Sequence, residues 1–112
     1  MRKVYLAVPY SHTDPAVREL RFLEVNKIAA KMMSKGILVF SPISHTHPIA
    51  LAGDLPKGWE FWKNYDISFI EWADEIQVLM LDGWEESTGV TSEIEIAESM
   101  KKPVYYLEGF AV

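Results

Sequence analysis

Short apolar runs alternate along the chain with longer segments in which apolar residues recur every three or four positions. Four runs of mainly aliphatic and aromatic residues predict buried β-strands at 3–8, 37–40, 75–81 and 103–107. The longer segments predict three amphipathic helices, at 14–35, 57–72 and 88–101. The remaining stretch, 41–56, contains three prolines and is predicted to be a long loop.

The alternation of strands and helices predicts an α/β fold with a parallel sheet of about four strands. Short, almost wholly apolar strands are typical of a sheet that is covered by helices on both faces, which makes a three-layer sandwich. Right-handed crossovers leave few arrangements, and we expect the strand order 2-1-3-4. One domain spanning 1–112 accounts for the length of the chain.

The expected strand order reverses between the first and third strands, and ligands of such sheets bind beyond the carboxyl ends of the strands at that point. Two loops follow these strands. The first contains Tyr10 and Ser11, and the second runs from Asp82 past Trp84 to the start of the last helix. We therefore expect the substrate to bind between these two loops.

Two acidic residues occupy helix positions where an apolar side chain is expected. At about 100° per residue, Glu93 falls in the middle of the apolar stripe of the last helix, and Asp66 falls inside the stripe of the preceding one. A buried acid is costly unless it is paired or used, and burial raises its pKa. Both are candidate catalytic residues, although each could instead cap a neighbouring helix or reach water at the end of its stripe.

The segment 87–92 opens the last helix and is rich in hydroxyl groups. Ser87 and Gly89 lie where the free N–H groups of a helix N-terminus can bind an anion, and glycine permits a close approach of the backbone. An ordinary N-cap at Ser87 explains the same residues. Both interpretations stay open.

Charge and composition narrow the possible partners. The net charge is −5, and between Lys63 and Lys101 there are ten acidic residues and no lysine or arginine, so we do not expect binding to long nucleic acid. No apolar run has the length of a membrane span, no signal-peptide pattern is present and there are no cysteines. We therefore expect a cytoplasmic protein that binds no membrane.

Histidines and tryptophans add candidate binding residues. His45 and His47 form a His-x-His pair after the second strand, but metal sites of that kind need more ligands and a larger barrel, so no metal is expected. The two histidines are expected to line the pocket or to order the loop. Trp84 could stack on a base or bury in a subunit interface, and Tyr10 could hydrogen-bond Glu93 or a sugar.

Several of these segments together resemble the nucleoside 2-deoxyribosyltransferase superfamily, which includes the 2'-deoxynucleoside 5'-monophosphate N-hydrolases. The last helix carries the most specific part, Ser87-x-Gly89-Val90-x-x-Glu93-Ile94, followed by Ala97 and Lys102-Pro103-Val104. The first strand and loop are similar through Val4-Tyr5-Leu6-Ala7-x-Pro9, and the middle of the chain through Asp66 and Ala73-Asp74. Within the superfamily, the chain is most similar to a small bacterial and phage branch without an established activity.

The resemblance implies a flavodoxin-like fold and cleavage of an N-glycosidic bond without a cofactor. It makes Glu93 the nucleophile that attacks the anomeric carbon, Asp66 the acid that assists at the base or sugar, and Ser87 a ligand of a 5'-phosphate. It also implies a homodimer or homotetramer. The chain differs in lacking a glycine- and arginine-rich first loop, in having Glu95 where glycine is common, and in lacking a fifth strand, so a partner chain could complete the pocket.

The sequence therefore predicts an enzyme that hydrolyses a nucleoside or nucleoside 5'-monophosphate or transfers its sugar to another base. The alternatives are a non-catalytic nucleotide-binding or sensing module, because such folds host both, and a structural oligomer. The base, the sugar and the acceptor stay open.

Overall fold

The computed structural model describes residues 1–56 and 58–109, which form a four-stranded parallel sheet covered by helices. The strands are β1 (Lys3–Ala7), β2 (Leu38–Phe40), β3 (Glu75–Met80) and β4 (Val104–Glu108). The helices are α1 (Pro15–Ser34), α2 (Pro42–Gly53), α3 (Trp59–Trp72) and α4 (Thr88–Ser99), with a short 3-10 turn at Trp84–Glu86. The strand order is β2-β1-β3-β4, as the sequence predicts, so the α/β sandwich is confirmed.

The two faces of the sheet bury two separate apolar clusters. Side chains of β1 alternate between them, because successive residues of a strand point to opposite faces. Val4 and Leu6 pack with residues of α1, whereas Tyr5 and Ala7 pack with residues of α3 and α4. This arrangement places α4, which carries Glu93, on the same face of the sheet as Tyr5.

The predicted boundaries of α1 agree with the structure. Asp14 is its N-cap and accepts a hydrogen bond from the backbone N–H of Ala16 at 2.9 Å, while Pro15 occupies the first turn. Gly36 follows the helix with a φ of +80°, a conformation that glycine adopts without strain. The predicted start of the next helix, Lys57, lies outside the described residues, and α3 is described from Trp59.

The prediction of a loop over 41–56 is wrong, because Pro42–Gly53 forms helix α2. Pro42 sits in the first turn, where proline is tolerated, but Pro48 lies inside the helix and removes one backbone donor. The helix persists because one side of it is buried, including Thr46, His47 and Ala50. Tertiary packing therefore overrides the unfavourable proline.

Among the described residues, no helix is both long and apolar enough to cross a membrane.

Candidate functional site

An open cleft of about 510 Å³ lies beyond the carboxyl ends of β1 and β3, between the two loops that the strand order selects. The loop after β1 contributes Tyr10 and Ser11, and the start of α4 contributes Ser87 and Gly89. Helix α2 provides a further wall, which the sequence did not anticipate as a helix. Six of the predicted site residues line this cleft: Tyr10, Ser11, Asp66, Ser87, Gly89 and Glu93.

Glu93 is buried in the second turn of α4 and lines the cleft. Its Oε2 atom accepts a hydrogen bond from the hydroxyl group of Tyr5, a side chain with no exposed surface in the middle of β1. The bond joins the sheet to the helix and fixes the orientation of the carboxyl group. The sequence-based expectation that Tyr10 bonds Glu93 has no support in the described contacts, since Tyr10 bonds His47 instead.

Asp66 reaches the same cleft from α3, and only 7% of its surface is exposed. Its Oδ1 atom is buried and has no hydrogen-bond partner among the described residues. An unpaired buried oxygen atom costs free energy, and its presence in a cleft indicates a group that a ligand can pair.

Burial sets the protonation of these two acids. The pKa of Glu93 is raised to about 8, mainly by burial and also by the nearby charge of Asp66, whereas the hydrogen bond from Tyr5 lowers it. Burial also raises the pKa of Asp66 to about 7, again opposed by Tyr5. The pKa of Tyr5 lies well above its usual value because of burial and of the two carboxylates, so its hydroxyl keeps its proton. The two acids therefore titrate as a coupled pair near neutral pH.

Ser87 is the N-cap of α4, because its Oγ atom accepts a hydrogen bond from the backbone N–H of Val90 at 3.2 Å. The N-cap interpretation is therefore confirmed. The same hydroxyl group still has its own proton to donate, so capping does not compete with ligand binding. A Cβ atom at Gly89 would lie 3.9 Å from Ser87 Oγ and 4.0 Å from the Trp59 ring, so the missing side chain leaves room between two cleft residues.

Three predicted binding residues lie outside the lining of this cleft. Asp82 is exposed, and its backbone carbonyl accepts a hydrogen bond from Arg21 at 2.9 Å. Trp84 packs against the Tyr106 ring at 5.6 Å between ring centroids. His45 is exposed and stacks on Tyr65 at 6.2 Å, on the far side of α2 from the cleft-lining His47.

Sequence analysis did not identify three residues as part of the site. Tyr5 could have been found, because its hydroxyl group is a polar group in an otherwise apolar strand. Arg21 is buried and donates to the Ser11 carbonyl at 3.2 Å as well as to Asp82, so it ties the two cleft loops together. Glu19 pairs with His47 at 2.9 Å, which no spacing in the sequence reveals.

No group of three or more histidine and carboxylate side chains in the described part of the chain is arranged to hold a metal ion.

Comparison with known proteins gives one family and a shared fold. The model of the family described as "Domain of unknown function (DUF1937)" matches residues 2–109. No curated protein matches the chain in sequence. A solved 2-deoxyribosyltransferase from Bacillus psychrosaccharolyticus is 26% identical, with a TM-score of 0.64 over 95% of this chain and 72% of that one.

A second solved structure, a 2-desoxiribosyltransferase from Leishmania mexicana, is 18% identical with a TM-score of 0.65. The match covers 96% of this chain and 65% of that one, so the chain spans less than two thirds of that protein's length. The four-stranded sheet and its helices have the α/β flavodoxin-like fold of these deoxyribosyltransferases.

Proposed function

Because its residues 2–109 match the family model, the chain belongs to the DUF1937 family of domains of unknown function, and we propose that it cleaves the N-glycosidic bond of a nucleoside or nucleoside 5'-monophosphate. The observation that supports this most is the pair of buried acids, Glu93 and Asp66, facing one cleft. The structural similarity to 2-deoxyribosyltransferases adds the chemical class of the substrate.

In the proposed reaction, the carboxylate of Glu93 attacks the anomeric carbon while the bond to the base breaks. A buried carboxylate beside the sugar stabilises the positive charge that develops there, or traps it as an ester. The proton of Asp66 neutralises the departing base. Water or a second base then attacks the sugar, and Glu93 leaves as a free carboxylate.

Tyr5 supports the ionised form of Glu93 at the moment of attack. Its hydroxyl group donates to Glu93 Oε2, which favours the charged carboxylate and holds it in one orientation. In the free cleft the last proton lies mainly on Glu93, whose pKa is the higher of the two, so the reaction requires this proton on Asp66 once the sugar is bound and its developing positive charge favours the ionised form of Glu93. This assignment gives Glu93 the role of nucleophile and Asp66 that of acid.

The charge of the cleft favours a substrate without a phosphate group. Its described lining residues include four acidic side chains and no lysine or arginine: Glu60, Asp66, Glu86 and Glu93. Ser87 and the start of α4 can still donate hydrogen bonds to a 5'-oxygen. We expect kcat/KM to be higher for nucleosides than for the matched 5'-monophosphates. Preference for the monophosphates would assign Ser87 to phosphate binding instead.

The raised pKa of Glu93 favours a second candidate function, a binding module for nucleosides or nucleotides. A carboxyl group that is largely protonated at neutral pH can donate a hydrogen bond to a neutral ligand without reacting. Such a module shifts the melting temperature with a nucleoside but releases no base.

A subunit interface belongs to the same proposal. Outside the cleft, the side of α2 and α3 exposes large apolar side chains, including Ile49 and Phe61, around a groove. Such patches are typical of interfaces between subunits. We expect a homodimer or homotetramer, and a mass equal to one chain in analytical ultracentrifugation would contradict it.

The covalent step is tested by intact-protein mass spectrometry of acid-quenched reactions with a panel of nucleosides. We expect a gain in mass equal to the sugar minus water in the wild type and in Glu95→Gln, whose side chain is exposed on the same helix. Glu93→Gln should gain nothing. An adduct that persists in Glu93→Gln would move the nucleophile elsewhere.

A further inference from the structure

A second polar assembly reaches the cleft from the loop after β1 and from α2, and it takes no part in the steps described so far. The hydroxyl group of Tyr10 lies 2.5 Å from His47 Nδ1, and His47 Nε2 lies 2.9 Å from Glu19 Oε2. The three residues come from the loop after β1, from α2 and from α1. They form one chain of hydrogen bonds.

The two ends of this chain fix the position of the protons. Glu19 as a carboxylate can only accept, so His47 Nε2 carries a proton, and an imidazole with one ring proton then has Nδ1 as its acceptor. Its Nδ1 lone pair then faces Tyr10, whose hydroxyl group donates. A carboxylate that orients a histidine, with the histidine next to a hydroxyl group, is the arrangement by which enzymes make a hydroxyl group take part in proton transfer.

Solvent exposure changes along this chain of hydrogen bonds, from an exposed carboxylate at one end to the cleft at the other. The side chain of Glu19 is 52% exposed, that of His47 is 5% exposed, and Tyr10 lines the cleft. The Phe22 ring packs on His47 with 4.4 Å between centroids, so the imidazole is held in place. The chain therefore connects the interior of the cleft with solvent through a single buried histidine.

We propose that Tyr10, His47 and Glu19 form a proton relay that activates the incoming nucleophile in the second half of the reaction. This inference rests on the proposed function. Asp66 serves the departing base from α3, whereas Tyr10 reaches the cleft from the loop after β1. The two half-reactions thus use different acid–base groups on different elements.

The step with water as acceptor balances as follows. The oxygen atom of water bonds the anomeric carbon, and the bond between that carbon and Glu93 breaks, which frees the carboxylate. One proton of water passes to the Tyr10 oxygen as the Tyr10 proton passes to His47 Nδ1. Glu19 stabilises the imidazolium, and the proton leaves from the exposed end of the chain to solvent. The products are the free sugar, one proton and the enzyme with the His47 proton on Nδ1; loss of that proton and protonation of Nε2 from solvent restore the starting form.

The test separates the two half-reactions with Tyr10→Phe, which removes one oxygen atom and keeps the ring. Rapid-quench measurements follow free base from the best nucleoside of the panel. We expect a burst of about one base per active site, followed by steady-state release about 100-fold slower than in the wild type, the usual size of an acid–base contribution. Tyr105→Phe, which changes an exposed tyrosine on β4, should behave as wild type.

Azide tests whether Tyr10→Phe lacks proton removal from the incoming nucleophile, because this anion attacks without losing a proton. It should raise turnover of Tyr10→Phe at least about tenfold and give a glycosyl azide, with little effect on the wild type. His47→Gln should behave similarly. Glu19→Gln, which weakens the relay at its exposed end, should lose about tenfold, while Glu24→Gln on the same helix should lose nothing.

Three results would overturn the relay. Wild-type turnover by Tyr10→Phe would show that the hydroxyl group is not used. Loss of the burst together with no azide effect would assign Tyr10 to the first half-reaction or to substrate binding. In both cases base release by the wild type and its loss in Glu93→Gln would leave the proposed function intact. No base release by the wild type would contradict both the relay and the proposed function.

Discussion

Burial of Glu93 and Asp66 lowers the free energy of unfolding, and this cost in stability is the main evidence that the two residues have a function. Both carboxyl groups are buried, and burial raises the pKa of each. The hydrogen bond from the Tyr5 hydroxyl group offsets part of this cost for Glu93. Residues of this kind persist where activity needs them and stability does not.

The substitution Glu93→Gln should therefore stabilise the protein in alkaline solution. The pKa of Glu93 is about 8 in the folded state and higher than its ordinary value, so its contribution to stability is full in acid and is lost as the pH rises through about 8. Glutamine has no charge to bury. We expect its free energy of unfolding at pH 9 to exceed that of the wild type by on the order of 2 kcal/mol, and the gain to vanish near pH 4.

Urea denaturation at the two pH values measures this difference. Glu95→Gln is the control, because the exposed Glu95 side chain has no burial to relieve. A Glu93→Gln protein that is less stable than the wild type at pH 9 would show that the carboxylate is stabilised by partners other than Tyr5.

The pH dependence of kcat/KM reports the same pair of acids. One ionised and one protonated carboxyl group are needed together, and the pKa values lie at about 7 and about 8. We expect a bell-shaped profile with its maximum between these values. In Asp66→Asn the alkaline limb of the bell should disappear, and kcat/KM should fall at least about 100-fold. The remaining curve should rise with pH to a plateau. Its midpoint should lie below the wild-type pKa of Glu93, because the Asp66 charge no longer raises that pKa. An unchanged bell would exclude Asp66.

The sequence placed Glu93 and Asp66 correctly on the buried faces of their helices, because helical periodicity is regular. It did not reveal that Tyr5 contacts Glu93, since 88 residues separate them and the contact exists only when α4 packs on the sheet. It also did not reveal the pairing of Glu19 with His47, which joins two helices.

Helices and loops show a different limit of sequence analysis. The four strands and three of the helices follow from their apolar periodicity, and their order fixes the sheet. Helix α2 was missed because Pro42 and Pro48 resemble loop residues, while its buried side is short. As a result, sequence analysis assigns His47 to a loop, although α2 holds it in the wall of the cleft.

Replacement of Pro48 by alanine should stabilise α2. Pro48 is exposed, so alanine loses little packing, and it restores the donor to the backbone carbonyl of Ser44. We expect the free energy of unfolding to rise by about 1 kcal/mol or more, read from the midpoint of urea denaturation. A lower midpoint would mean that the proline ring itself stabilises the helix.

Arg21 holds the two cleft loops in register, through the carbonyls of Ser11 and Asp82. The φ of Gly83 is +89°, and a Cβ atom there would lie 3.0 Å from the Arg21 guanidinium group, so the loop is shaped around this side chain. Arg21→Met keeps the apolar stem but removes the donors. We expect a loss of about 2 kcal/mol in unfolding free energy and a lower kcat.

The matched control for this substitution is Lys31→Met, an exposed residue of the same helix. It should lower the free energy of unfolding by less than about 1 kcal/mol, through the lost charge in the last turn of the helix, and leave turnover unchanged. Full activity in Arg21→Met would show that the loops keep their positions without the arginine.

For the complete chain, topology and charge point to the same kind of ligand. The reversal in strand order places a cleft between the loops after β1 and β3, and we predict that the excess of acidic residues between Lys63 and Lys101 disfavours binding to long nucleic acid. We therefore propose a small neutral molecule, a nucleoside, as the ligand of this cleft.

The decisive measurement is chromatography of free base after incubation of the purified protein with nucleosides and their 5'-monophosphates, with and without a second base. We predict that the wild type and Glu95→Gln release base from at least one compound, and that Glu93→Gln is slower by at least about 10³-fold. Equal release by wild type and Glu93→Gln would contradict the role of Glu93. Release from none of the compounds, with a rise in melting temperature on adding a nucleoside, would make the protein a binding module.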